Sequence, residues 1–151
     1  MNKIALAYIM NLLARRDYSC EEIRQKMTAK AFAAEDIETV LQHCRQKGWQ
    51  SDQRFCEHFL LSRSRKGYGP ARIKQELQQK GIASDLISAQ FAQTALDWFE
   101  LAESVFQKKF SNIQTAQWDM KQKQKAWRFM SNHGFQPDHF RHLFKLDSDD
   151  D

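Results

Sequence analysis

Prolines number only 2 and glycines only 5 in 151 residues, and β-branched residues are sparse beside Ala, Leu, Gln, Glu, Lys and Arg. With so few breakers and strand formers, local preference points to helix almost throughout, and a sheet-based fold is excluded. Cysteine is scarce too. Cys20, Cys44 and Cys56 are odd in number and lack metal-type spacing, which fits free thiols in a reducing compartment rather than a disulfide framework. Cys44 continues the stripe Ile37, Val40, Leu41, and Cys56 lies between Phe55 and Phe59, so both are expected as small core residues. Long apolar runs are missing as well. Ile4 to Leu13 is too short to span a bilayer, Asn2, Lys3 and Asn11 flank or interrupt it, and no small-residue cleavage site follows. The expected location is the cytoplasm, with no membrane attachment.

The patterns of catalysis are also absent. Nothing resembles a nucleophile elbow, and the glycines are all explicable as turns and helix stops, so no phosphate-cradling loop remains. His139 and His142 stand three apart on an expected helix but lack a third ligand of convincing spacing. The expectation is therefore no catalytic residue and no metal site, and a protein that works by binding macromolecules.

What the chain does have is positive charge. Formal net charge is +4, but Asp147, Asp149, Asp150 and Asp151 form an acidic tail; without them 23 Lys and Arg face 15 Asp and Glu, a charge of +8 over residues 1–146. A basic body favours a polyanion or an acidic protein surface as partner. The tail, 147–151, is expected to be disordered.

The chain also repeats itself. Laying Tyr18 on Tyr68 brings Ile23 onto Ile73, Met27 onto Leu77, Lys30 onto Lys80, Phe32 onto Ile82, Ile37 onto Ile87 and Leu41 onto Phe91. A weaker third copy places Met130, Gly134, Phe135, Asp138, Phe140 and Phe144 on the spacing of Leu77, Gly81, Ile82, Asp85, Ile87 and Phe91. Between punctuation marks, apolar residues recur at three- and four-residue intervals, so each copy reads as three helices. Ser19 to Glu22 is a capping box, Gly48, Gly81 and Gly134 are stops, Ser51 or Asp52 and then Ser84 are caps, and Pro70 opens a helix. The run from Leu86 to Phe110 is too long for one helix, so a break is expected near Trp98 to Leu101. The expected fold is all-α, with three-helix repeats at 1–50, 51–98 and 99–146 stacked in an elongated, curved array.

The residues Arg15-Arg16-Asp17-Tyr18-Ser19 with Glu22, Met27 and Phe32, then Asp52, Arg54-Phe55, Arg63, Lys66-Gly67-Tyr68-Gly69, Ile73, Glu76-Leu77 and Lys80-Gly81-Ile82, resemble the RecX family of bacterial regulators. The resemblance runs from about residue 5 to residue 144, and Met27 stands where leucine is common in the family. It implies three-helix repeats, no enzymatic activity and no cofactor. It also implies a partner: RecA filaments assembled on single-stranded DNA, whose strand exchange, ATP hydrolysis and growth RecX proteins restrain.

Two basic clusters are the candidate binding surface. Arg63, Arg65, Lys66, Arg72 and Lys74 bracket one turn with no acid between them in sequence; Lys108, Lys109, Lys121, Lys123, Lys125 and Arg128 form the second, and Arg15 and Arg16 join them from the first repeat. A solvated face is the plainer account of any single lysine, while the clusters as groups favour binding. Trp98 and Trp127 lie in apolar stripes and are expected in the core. The first turn of repeat two should tolerate reversal of Arg72 and Lys74 without loss of folding. A monomer with weak direct contact to nucleic acid is expected. The alternative reading is a stand-alone helix-turn-helix-like nucleic-acid-binding protein.

Overall fold

The computed structural model describes residues 1–110 and 117–144; the acidic tail and the end of the final expected helix lie outside the described residues. Among the described residues there is no strand. The helices are α1 (Lys3–Arg15), α2 (Cys20–Ala29), α3 (Ala34–Gln46), α4 (Asp52–Arg65), α5 (Pro70–Gln79), α6 (Ser84–Gln93), α7 (Trp98–Phe110), α8 (Met120–Asn132) and α9 (Pro137–Phe140), the last running into a 3₁₀ turn at Arg141–Phe144.

Local chemistry accounts for most boundaries. Ser19 caps α2 through a reciprocal pair, its hydroxyl accepting from Glu22 N–H at 3.1 Å while Glu22 Oε1 accepts from Ser19 N–H at 3.0 Å. Asp119 and Gln122 do the same for α8. Ser51 caps α4, accepting from Arg54 N–H at 3.1 Å. Ser84 is not a cap. It is the first residue of α6, and the carbonyl of Ala83 starts the helix by accepting from Ile87 N–H, just as Ala33 does for Ile37 in α3. The long apolar run breaks at 94–97, slightly ahead of the expected bend, because Asp97 Oδ1 accepts from the N–H groups of Phe99 and Glu100 and so opens α7.

Gly81 and Gly134 end α5 and α8 at φ +77° and +96°, the left-handed turn expected of a helix stop. At the corresponding place after α2 stands Ala31, at φ 66° and exposed. An L side chain there costs roughly 1–2 kcal/mol, of which glycine would return part to unfolded-chain entropy. Ala31→Gly is expected to stabilise the protein by about 0.5–1 kcal/mol, seen as a rise of a few degrees in melting temperature. A lower melting temperature would count against the strain.

One packing device recurs. The start of α2 meets the end of α5: Ser19 Oγ donates to the Lys80 carbonyl at 2.7 Å, Lys80 Nζ reaches Glu22 at 2.9 Å, and a Cβ on Gly81 would lie 2.5 Å from Glu21 Cβ. The start of α5 meets the end of α8 through the same positions: Gly69 N–H donates to the His133 carbonyl at 2.6 Å, Ala71 N–H to the Gly134 carbonyl at 3.0 Å, and a Cβ on Gly134 would collide with Arg72 Cβ. In each contact the carbonyl end of one helix is set against the N-terminal end of another, the favourable pairing of helix dipoles, with the Ser19 hydroxyl as donor in the first and backbone N–H groups in the second.

The chain divides into two compact units, Met1–Phe59 with Leu77–Gln93 and Leu60–Glu76 with Thr94–Asp151. In the first, Ala5, Ile9, Leu12, Ile23, Met27, Ile37, Val40, Leu41 and Cys44 form one core, flanked by Tyr8 and Phe32 in ring contact at 5.5 Å. In the second, Ala102, Phe106, Trp118, Ala126, Met130, Phe135 and Phe140 form another, with Trp98 and Trp127 packed against it as expected. All three cysteines are buried thiols. Burial, with Asp52 adding to it, pushes Cys56 up to about 11, so it stays protonated and unreactive at neutral pH.

Candidate functional site

The basic clusters separate into cations that build the fold and cations that face outward. At the turn between α4 and α5, Arg63 donates to both oxygens of Glu76 at 2.9 Å, and Arg72 reaches the same carboxylate at 3.5 Å. Both guanidinium groups lie over the Tyr68 ring, at 4.2 and 4.0 Å, and Tyr68 in turn stacks on His133 with ring centroids 5.5 Å apart. Arg72 also donates to the Asn132 carbonyl at 3.2 Å. The stretch 63–74 is free of acids in sequence, but in space Glu76 sits between its two innermost arginines. Reversing Arg72 would place a second carboxylate beside Glu76 and remove a contact to the end of α8, so the expectation that this reversal spares folding is corrected. The i,i+4 spacing of Arg72 and Glu76 carried that signal; the Arg63 pairing carried none.

The other cations of this corner behave differently. Arg65, Lys66 and Lys74 are exposed. Arg65 lies in the last turn of α4 and Lys108 and Lys109 in the last turn of α7, positions where helix carbonyls favour positive side chains, and Lys66 follows α4 directly. Gly67, at φ +92°, folds the chain back so closely that a Cβ there would touch Val105 Cγ2 at 3.2 Å. This approach brings the end of α4 against α7 and sets two sequence-distant pairs, Arg65 with Lys66 and Lys108 with Lys109, around one groove of about 450 Å³. Leu101, Val105, Phe129 and His133 contribute apolar and aromatic lining, Ser104 a hydroxyl, and among the described residues no acid lines it. Phe129 lies against His133 at 4.1 Å between centroids, with Lys109 Nζ 5.4 Å from the Phe129 ring.

The remaining candidates are not part of this groove. Lys121, Lys125 and Arg128 share the exposed face of α8, while Lys123 on the same helix is half-buried. Arg15 is exposed at the end of α1. Arg16 lies 3.6 Å over the Tyr18 ring and pairs with Glu22 at 3.2 Å, a smaller counterpart of the Tyr68 assembly. Burial pushes the Glu22 carboxyl up, but hydrogen bonds from Lys80, Arg16 and the Ser19 amide outweigh it and hold the group below the usual carboxylate range. Among the described residues, no group of three or more His, Cys, Asp or Glu is placed to hold a metal ion, and no helix is long and apolar enough to cross a membrane.

Three family models match in chain order: the first three-helix domain of RecX over residues 5–44, the second over 51–89 and the third over 96–144. Over 144 residues the chain is 48% identical to the Regulatory protein RecX of Haemophilus influenzae (strain PittEE), covering 95% of this chain and 94% of that protein. This chain belongs to the RecX family. It is also 44% identical to the Regulatory protein RecX of Actinobacillus pleuropneumoniae serotype 5b (strain L20) over 149 residues, which are 99% of this chain and 96% of that protein. In fold it resembles a crystal structure of regulatory protein RecX with a TM-score of 0.80 at 21% identity, over 93% of this chain and 71% of that one. A crystal structure of RecX from Lactobacillus salivarius gives 0.72 at 17%, over 93% and 92% of the two chains. RecX proteins are thus named as regulators, and the three-helix repeat read from the sequence is the family's own domain.

Proposed function

We propose that this chain is a non-enzymatic, cytoplasmic regulator that binds RecA filaments on single-stranded DNA as a monomer and restrains their recombinase and ATPase activity. Membership of the RecX family supports the partner. The observation that carries the contact surface is the groove gathering Arg65, Lys66, Lys108 and Lys109, lined by no acid among the described residues, with Lys121, Lys125 and Arg128 exposed on α8. Three modules joined in one chain let modest contacts to neighbouring filament subunits add through effective concentration, so no single site need be tight.

The test is DNA-dependent ATP hydrolysis by the cognate RecA. Substoichiometric protein is expected to slow it, and Arg65→Glu with Lys66→Glu is expected to raise the concentration needed by about tenfold, with folding intact. Reversal of Lys3 and Lys47, both exposed and not among the residues lining the groove, should change it little. A parent protein that leaves hydrolysis unchanged at equimolar ratio would overturn the function. Equal losses in the two reversed variants would overturn the surface.

A further inference from the structure

We infer that the acidic segment Asp147–Asp151 pairs with the groove between the ends of α4 and α7 of its own chain, through Arg65, Lys66, Lys108 and Lys109, and so competes there with partners from outside. This rests on the contact surface proposed above and adds its regulation. The starting point is a separation of charge. Four exposed cations stand around one groove of about 450 Å³, lined by no acid among the described residues, while aspartate fills four of the five positions 147–151. Like charges held close repel one another, and a run of carboxylates on the same chain relieves that repulsion. A groove of similar size beside α2, about 420 Å³, does not suit the segment: Glu21 and Glu22 line it together with Lys26 and Lys80, and Lys80 is already bound to Glu22 at 2.9 Å.

The segment also starts in the right place. Phe144 packs its ring on Phe106 at 5.4 Å, Phe106 meets Phe110 at 5.0 Å, Phe110 meets Phe129 at 5.6 Å, and Lys109 Nζ lies 5.4 Å from the Phe129 ring at the groove. Even if those four steps lay in one straight line, residues 145–151, which can extend to about 23 Å, would reach its end. Tethering then stands in for affinity. A segment on a short linker works at an effective concentration in the millimolar range, so a pairing with a Kd of about 1 mM between separate molecules is mostly formed within one. An outside polyanion must displace it, and its affinity falls by about three- to tenfold.

The experiment uses the full-length chain. Carbodiimide, which joins a carboxylate to an amine in contact with it, should link aspartates of 147–151 to Lys66, Lys108 or Lys109, read by mass spectrometry of digests, and the links should fade as salt approaches about 1 M. Asp149→Asn with Asp150→Asn and Asp151→Asn should bind fluorescein-labelled polyglutamate about three- to tenfold more tightly than the parent at low salt. Glu35→Gln with Glu57→Gln and Asp85→Asn makes the same change in net charge at exposed sites that do not line the groove, and should gain less than about twofold. Adding Lys108→Gln and Lys109→Gln to the tail variant should remove most of its advantage over the same lysine pair changed alone. Melting curves confirm that each variant is folded. The pairing is overturned if links go only to lysines outside the groove such as Lys121 and Lys145, if they form as readily between light and heavy copies mixed together, or if the tail and control triples gain alike. DNA-dependent ATP hydrolysis by RecA separates the two readings. The tail variant should slow it at a lower concentration than the parent does; a parent that never slows it sinks the regulatory function while the links stand, and missing links with inhibition intact sink only the pairing.

Discussion

Gly69→Ala is expected to destabilise the protein by about 3 kcal/mol, a fall of roughly 6–12 °C in melting temperature. The added Cβ would lie 2.6 Å from the carbonyl carbon and oxygen of Gly134 and 2.6 Å from Phe135 N. All three are backbone atoms, so no side chain can swing aside. Relief requires the end of α8 to move off the start of α5, which opens the bonds from Gly69 N–H and Ala71 N–H to the His133 and Gly134 carbonyls. Gly48→Ala is the comparison: its Cβ meets nothing within 4 Å, and the change costs only the left-handed strain of φ +74°, about 1–2 kcal/mol. If differential scanning calorimetry finds Gly69→Ala no more harmful than Gly48→Ala, the close approach of the two backbones is wrong.

The second large effect is expected at Gln50, which is only 2% exposed. Its amide donates to the Tyr18 carbonyl at 3.1 Å and to Asp52 Oδ1 at 3.0 Å, and its carbonyl accepts from the Cys20 thiol at 3.1 Å. Asp52 Oδ1 also accepts from Cys20 N–H at 3.0 Å, so one glutamine ties the loop after α3 to the start of α2 and the start of α4. Gln50→Leu keeps the volume but removes every polar partner, stranding the Tyr18 carbonyl in a buried place. Leaving such a group unsatisfied costs about 1–3 kcal/mol, and the lost bonds bring the expected destabilisation to about 2–4 kcal/mol. Urea unfolding should show a lower midpoint at unchanged slope. A midpoint within error of the parent would mean that water substitutes for the amide.

Features that depend on near neighbours in sequence were legible before the structure. The Ser19–Glu22 cap, the stops at Gly81 and Gly134, the stripe of Ile37, Val40, Leu41 and Cys44, and the register of the repeats all follow from spacing, because a helix turns local order into local geometry. Gln50 was not legible. Besides nearby Asp52, its partners Cys20 and Tyr18 lie 30 and 32 residues back, and a lone glutamine two residues past a glycine stop reads as a loop residue. The candidate site divides the same way. Which residues are cationic was plain, and Arg72 stands one helical turn before Glu76, but the folding of Arg63 onto the same carboxylate depends on how α4 meets α5, and the joining of Arg65 and Lys66 to Lys108 and Lys109 on Gly67 seating against Val105. Phe129 stands three positions from Ala126 and His133 three from Met130, just past the end of α8, so in sequence both read as ordinary core and cap residues.

The contact that joins the start of one second helix to the end of the next has unlike halves, and a contact with unlike halves has no built-in end: it can in principle add copy after copy into a fibre. Ala31 bears on this. In both contacts formed within the chain, the residue at the left-handed stop is a glycine whose missing Cβ leaves room for the facing helix start. At the end of α2 that residue carries a methyl group, so a helix start offered by another molecule would meet the obstruction that Gly81 and Gly134 avoid. The methyl group of Ala31 thus sets this helix end apart from the two that pair within the chain.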